Sequence, residues 1–390
     1  MAGKAPASDG TLLFELRPGA AADRDGANGS SEGKMDVNFL ASFNVTGIGR
    51  HSEAAFYGVL RNRPPGLVPY YVNKMRPASV QRFLGDPRAR SGATIMFWRF
   101  TVEELREFPG RRIGWLFFES DRLPPSWIEQ MRAFDELWMP SDWGREVLIA
   151  HGIPAERIRV VPAGVDHRIY RPQPRPHEGF VFLTVGKYEK RKSIDEAIEA
   201  FLAEFPAATH PKVEFWIKAD HPVFPERIAA LRARHVAEPR LRFVSGHFSD
   251  EQMAELYNRT DAFVFPTKAE GFGLPCVEAL ACGLPLITTD CSAQTVFLKH
   301  VAGLFCSVSY RMADLDDPDY AHFYGTDYHG TPYGRWALPD MASLRAGMRE
   351  VYEERTDWRA RAQQAAECIR EKFSWDRVGR RAVDVLLGAG

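Results

Sequence analysis

The sequence predicts an α/β protein made of two doubly wound parallel-sheet halves that face each other across a cleft. Three observations carry that expectation. Short apolar, β-prone runs alternate with helical patterns along most of the chain, as a parallel sheet flanked by helices requires. The alternation stops at the proline-rich residues 171–176 and then restarts. The first strand of each half runs straight into a glycine turn, at Gly47 and Gly49 in one and at Gly186 in the other.

Residues 1–34 read as a disordered tail, because the stretch 19–33 holds no large apolar side chain to offset its ordering entropy. Residues 37–43 then read as a strand and 52–61 as a helix. Residues 94–98 and 113–118 are apolar and strand-like, 126–134 helical, and 136–139 a short strand. Ser141 is an N-cap for a helix over 142–150, and residues 159–162 close the half. Residues 171–176 form an extended linker and hinge.

In the second half, strands are expected at 180–185, 212–218, 241–244, 262–265 and 285–288. The helices between them fall at 193–205, 225–235, 250–258 and 274–282. Residues 309–336 break the pattern and read as irregular, with the run Asp314–Asp317 as a solvated loop. Helices over 341–354, 358–373 and 375–387 end the chain. The domains are therefore expected at 35–172 and 173–374. Ligands of such sheets sit outside the carboxyl ends of the strands, which makes the cleft between the halves the expected site.

The composition narrows the function classes. Lys plus Arg total 50 against 51 Asp plus Glu, a net charge of −1. That balance gives no general pull towards nucleic acid or anionic lipid, so an anion site has to be built locally. The five cysteines include no C-x-x-C pair and read as free, mostly buried thiols of a reducing compartment. Neither a secretory signal nor a membrane-spanning run is visible, so a cytoplasmic location is expected, with peripheral contact at the inner face of a membrane left open.

Three segments carry chemistry. The first is 268–279, KAEGFGLPCVEA, which follows a strand and opens a helix. Gly271 and Gly273 free the backbone, Pro275 suits the first helical turn, and the amides at that end form an anion site. Glu270 precedes the helix and Glu278 lies in it, placed to meet hydroxyls at either end of a ligand whose diphosphate faces the amides. The alternative is that Glu278 complements the helix dipole and Glu270 is a loop residue. The second segment is 186–194, GKYEKRKSI, which puts Lys187, Lys190, Arg191 and Lys192 at a strand's carboxyl end. Such charge neutralises a departing diphosphate; the alternative is a solvated basic loop. The third is Gly47-Ile-Gly49-Arg50-His51. It is a poor dinucleotide fingerprint, since Ser52 stands where a third glycine belongs and no acidic residue occurs between Ala54 and Gly85. A glycine turn facing phosphate or sugar fits better.

Together these segments resemble the family 4 retaining glycosyltransferases, also called glycosyl transferases group 1, which have the GT-B fold of two Rossmann-like domains. Glu270 and Glu278 match the family's glutamate pair, Lys187 and Lys192 its basic pair, and Gly47-Ile-Gly49-Arg50 its glycine turn. Residues 160–166 resemble the start of its interdomain connection, and 373–376 the start of its last helix, which returns to the first domain. The resemblance implies an acceptor-side first domain and a second domain that binds the nucleotide-sugar. It implies that Glu270 contacts the donor sugar, Glu278 the ribose, and Lys187 and Lys192 the diphosphate. The backbone of Phe272, Gly273 and Leu274 would face sugar and phosphates, and Gly47 and Gly49 the diphosphate from the other side. Neither a cofactor nor a metal is required, and the acceptor is a glycan, lipid-linked or small-molecule hydroxyl, with no role for nucleic acid.

The sequence departs from the family where many relatives carry a histidine after the strand 113–118. Here the residues are Glu119-Ser-Asp121, and Glu119 is a candidate for acceptor contact or proton handling, or equally a structural carboxylate. His51 and His151 read as surface or turn histidines. Two other activities are compatible with the segments: epimerisation or hydrolysis of the nucleotide-sugar, and inert nucleotide-sugar binding.

Overall fold

The computed structural model describes residues 35–41, 47–73, 92–97, 102–220, 225–315, 317, 320 and 334–388. The expected tail, residues 1–34, lies outside them. The first half carries a six-stranded sheet in the order β2-β1-β3-β4-β5-β6. Its strands are β1 (Met35–Ala41), β2 (Leu67–Asn73), β3 (Ala93–Phe97), β4 (Arg111–Trp115), β5 (Glu136–Met139) and β6 (Ile158–Val160). The second half carries another six-stranded sheet, in the order β12-β11-β10-β7-β8-β9. It comprises β7 (Phe180–Lys187), β8 (Val213–Asp220), β9 (Leu241–Phe243), β10 (Ala262–Phe265), β11 (Leu286–Thr289) and β12 (Cys306–Val308). Every pairing within the two sheets is parallel.

The strand sequences explain their burial. FVFLTV in β7 and LITT in β11 are near-continuous apolar or β-branched runs, as strands covered on both faces require. In the first half, Phe97 stacks on Phe39 at 6.0 Å and on Trp115 at 5.1 Å. The Trp115 indole N–H donates to the Val161 carbonyl at 3.1 Å, so the buried ring leaves no donor unpaired. Each such aromatic contributes about 1.5–3 kcal/mol through burial. Cys276, Cys282, Cys291 and Cys306 are buried free thiols and Cys368 is half-buried.

Several expectations need correction. β2 was not among the expected strands, and it contains Pro69. It lies at the edge of the sheet, where a missing N–H costs no ladder bond to a further strand. The first helix starts at Gly47 rather than Ser52, so both glycines sit in its first turn, and the Ser52 hydroxyl donates back to the Gly49 carbonyl at 2.9 Å. β4 begins and ends earlier than residues 113–118; after the Leu116 N–H donates to Trp138 O at 3.1 Å the chain leaves the sheet. An antiparallel ribbon of β13 (Tyr310–Asp314) with β14 (Arg335–Pro339) occupies the ends of the stretch expected to be irregular, and β12, just before that stretch, was not among the expected strands. The run at 314–317 is not simply solvated: Leu315 and Asp317 are buried. Residues 316, 318, 319 and 321–333 lie outside the described residues.

The chain passes between the halves at two places. The 171–176 segment is extended but pinned. Asn258 accepts from the N–H groups of Gln173 and Arg175 at 2.5 and 2.9 Å, and its amide donates to Arg171 O at 3.1 Å. The terminal helix Trp375–Leu386 lies on the helix Gly47–Asn62. Gly58 and Gly379 meet there so closely that a Cβ on Gly379 would fall 2.1 Å from the Gly58 carbonyl carbon. Arg61 pairs with Asp376 at 2.5 Å beside that contact. Among the described residues no helix is long and apolar enough to cross a membrane.

Candidate active site between the two sheets

The site grows from the carboxyl ends of β7 and β10. After β10 the chain turns through Thr267–Gly273 into the helix Leu274–Ala281. Gly273 caps that helix at φ +97°, a conformation that favours glycine, and Pro275 occupies the first turn. Among the described residues no side chain caps this end; the Cys276 and Val277 N–H groups donate to the Gly273 carbonyl and Pro275 has none, so only the amides before Pro275 are available to another acceptor.

Glu270 stands just before the helix and is buried. Its backbone N–H donates to the Ser292 hydroxyl at 2.8 Å. Its Oε1 accepts from Lys192 Nζ at 2.6 Å, Thr267 Oγ1 at 2.8 Å and Arg191 Nη1 at 3.0 Å. Burial alone would push this carboxyl up; Lys192 and Arg191 outweigh it and hold Glu270 below the usual range, ionised. Lys192 also lies 4.8 Å over the Phe265 ring. Arg191 reaches Glu189 at 3.0 Å and the Ala269 carbonyl at 2.7 Å, and lies 3.7 Å from Glu119 Oε1.

Glu119 comes from the first half, on the chain that leaves β4. Burial pushes its carboxyl up, against the pull of Arg191 and with repulsion from Glu270 and Glu189. Lys187, at the end of β7, is the more exposed cation and lies 3.7 Å from Glu189. The structure thus brings Glu119, Lys192 and Glu270 together, with Lys187 at the margin. Sequence reading counted Arg191 only as bulk charge; it is the buried hub, and its place beside Lys192 in the basic run was the available signal.

Glu278 lies in the helix eight positions on, beside a second charged group. It accepts from Tyr257 Oη at 3.0 Å and from Arg50 Nη2 at 3.2 Å. Burial raises its pKa despite Arg50. Arg50 also donates to Tyr170 Oη at 2.7 Å and pairs with Asp250. Burial works against its charge, but Glu278, Tyr170 and Asp250 raise its pKa. Gly47 and Gly49 open the helix that carries Arg50, so their segment sends a guanidinium across the cleft. Sequence reading missed Arg50 as a cross-cleft contact, although it adjoins the glycines.

Arg50, Glu278, Tyr170, Leu274 and Trp375 line a cavity of about 260 Å³. His51 lines it too and is no surface histidine: it is buried among Phe97, Trp115, Phe117 and Trp375, with ring centroids 4.6–5.7 Å away. Among the described residues neither ring nitrogen has a hydrogen-bond partner, and burial lowers its pKa to about 3. The helix Gly47–Asn62 turns that face inward, which the glycine-turn reading had placed outside a helix. His151 follows its helix and accepts from the Leu123 N–H at 3.1 Å, a structural role. The Phe272 ring is core, 5.5 Å from Phe297, so only its backbone faces the site region. Gly271 allows the halves to approach: a Cβ there would lie 3.1 Å from Phe117 Cβ.

Residues 166–317 match the family model described as glycosyl transferases group 1. Curated relatives include a D-inositol 3-phosphate glycosyltransferase of Acidothermus cellulolyticus, 28% identical over 40% of this chain and 38% of its own length. A glycogen synthase of Mycobacterium tuberculosis is 27% identical over 71% of this chain and 56% of its own. The serotype-specific mannosyltransferase WbdA of Escherichia coli is 29% identical over 52% of this chain. The matches span only 23–56% of these relatives' lengths. Among solved structures, sucrose-phosphate synthase from Thermosynechococcus elongatus superposes with a TM-score of 0.66 at 14% identity, covering 92% of this chain and all of that one. HepE of Anabaena, in complex with UDP and glucose, gives 0.65 at 15% identity over 91% of this chain and 100% of its own. The fold is GT-B.

Proposed function

We propose that the protein transfers a sugar from a nucleotide-diphosphate sugar to a hydroxyl acceptor with retention of configuration, in the assembly of a polysaccharide or glycoconjugate. One observation carries the reading: Lys192 and Arg191 converge on Glu270 beside the uncapped end of the helix that also holds Glu278. Two cations and a helix amide end fit a diphosphate, and the flanking carboxylates fit hydroxyl groups on either side of it.

In this reading the donor's phosphates take Lys192, Lys187 and the amides of Phe272, Gly273 and Leu274. Glu270 accepts from the donor sugar's hydroxyls and Glu278 from the ribose. The anomeric C–O bond to the diphosphate breaks, and the leaving oxygens gather negative charge that the cations stabilise. The acceptor hydroxyl attacks from the same face, and its proton passes to a departing phosphate oxygen. Glu119 contacts the acceptor on the first-half side. Gly47 and Gly49 approach the diphosphate from that half, and the pinned segment 171–176 is the hinge about which closure excludes water. No metal is needed, because the basic pair supplies the charge. The reading places the protein in the cytoplasm.

The test is a thermal-shift screen against UDP-, GDP-, ADP- and TDP-sugars, followed by product analysis with and without acceptors. A donor that raises the melting temperature and yields acceptor-dependent product supports the reading. Turnover independent of any acceptor would favour epimerisation or hydrolysis. Binding without turnover would favour an inert module.

A further inference from the structure

The ribbon of β13 and β14 belongs to the second half. Ala337 N–H donates to the Lys268 carbonyl at 2.9 Å, and Leu315 and Trp336 form a small buried cluster with Ala269, against which Tyr320 packs. From that base, consecutive residues of the ribbon cross to the loop of the first half that carries Glu119. Trp336 Nε1 donates to the Glu119 carbonyl at 2.8 Å, and the Glu119 N–H donates to Tyr320 Oη at 3.3 Å. Arg335 donates to Asp121 from its backbone N–H at 2.6 Å and from Nε at 2.9 Å. Gly334, at φ +91°, lies so close to Ser120 that a Cβ would fall 1.9 Å from its hydroxyl oxygen.

We infer that this ribbon positions the Glu119 carboxyl for the transfer reaction, with Trp336 and Gly334 as its positioning residues. The inference rests on the transferase reading above. Residues 117–119 lie beyond the end of β4, past the Leu116 N–H that donates to Trp138 O. Trp336 of the ribbon holds the Glu119 carbonyl, and Tyr320, packed against the ribbon's base, holds the Glu119 N–H, with the carboxylate 3.7 Å from Arg191 on the side of Glu270. A group that handles an acceptor must be held within about 0.5 Å, and a misplacement of about 1 Å costs roughly 100-fold in rate. The ribbon sits on one half and grips the other, so Glu119 is set in place only when the halves are together.

The test is a double-mutant cycle on acceptor-dependent transfer. Trp336→Phe keeps the ring and removes the N–H. It should lower kcat about 10- to 100-fold, by loosening Glu119, while the thermal shift given by the donor is unchanged. In the Glu119→Gln background Trp336→Phe should cost little more, because the group it positions is already gone. Gly334→Ala, which forces the ribbon off Ser120, should show the same loss of kcat with donor binding retained. Losses that multiply in the double variant, or full transfer by Trp336→Phe or Gly334→Ala, would overturn the inference. A wild-type protein that transfers to no acceptor would instead overturn the transferase reading itself.

Discussion

His51 makes a quantitative prediction. Its imidazole is enclosed by four aromatic rings, has no hydrogen-bond partner among the described residues, and has its pKa lowered to about 3 by burial. An unfolded chain returns it to about 6.5. Above that value both states are neutral and the residue's contribution to stability is complete. Between about 6.5 and about 3 the unfolded state alone takes up the proton, so stability falls as pH falls, by about 1.4 kcal/mol per unit. At two units below 6.5 the loss attributable to His51 is about 3 kcal/mol. Replacing His51 with Leu, similar in volume and unable to titrate, should remove that component. The assay is urea unfolding of wild type and His51→Leu from pH 7.5 to 4.5. The difference in unfolding free energy between them should shift in favour of the variant by about 3 kcal/mol across the range. Parallel pH curves for the two proteins would refute the claim that the imidazole is buried and neutral.

The other predictions concern the site and the packing beneath it. Lys192→Ala should lower kcat by about 10²–10³, the cost of losing a donor to a developing oxyanion, and steady-state kinetics would show it. Glu278→Gln should raise the donor KM by about 10- to 100-fold through weaker acceptance from ribose hydroxyls, with a smaller effect on kcat. Gly379→Ala should cost about 1–3 kcal/mol in urea unfolding, because the new methyl meets the Gly58 backbone and the two helices must part.

The main architecture was legible because most buried strands are short, apolar runs that alternate with helical patterns. The failures each have a local cause. β2 was missed, and its Pro69 is tolerated because the strand lies at an edge, a place the sequence does not announce. The ribbon was hidden because its strands pair across some twenty residues and lack alternation strong enough to announce them. In the site, Glu270, Glu278 and Lys192 were legible from their spacing around one helix start and one strand end. Arg50 and Arg191 were not, because their importance comes from contacts that neither local pattern nor composition encodes: one guanidinium crosses to the opposite half, and the other turns inward beneath its own loop. His51 was misjudged for a related reason. A histidine beside two glycines looks like a turn residue until the helix is seen to begin at Gly47.

The most direct test of the account is a crystal structure with a bound nucleotide-diphosphate sugar. The account predicts phosphate oxygens within hydrogen-bond distance of Lys192 and the amides at Gly273, with sugar hydroxyls on Glu270 and ribose hydroxyls on Glu278. Density for the diphosphate away from the Leu274–Ala281 helix, with Lys192 still paired to Glu270 and nothing else, would contradict it.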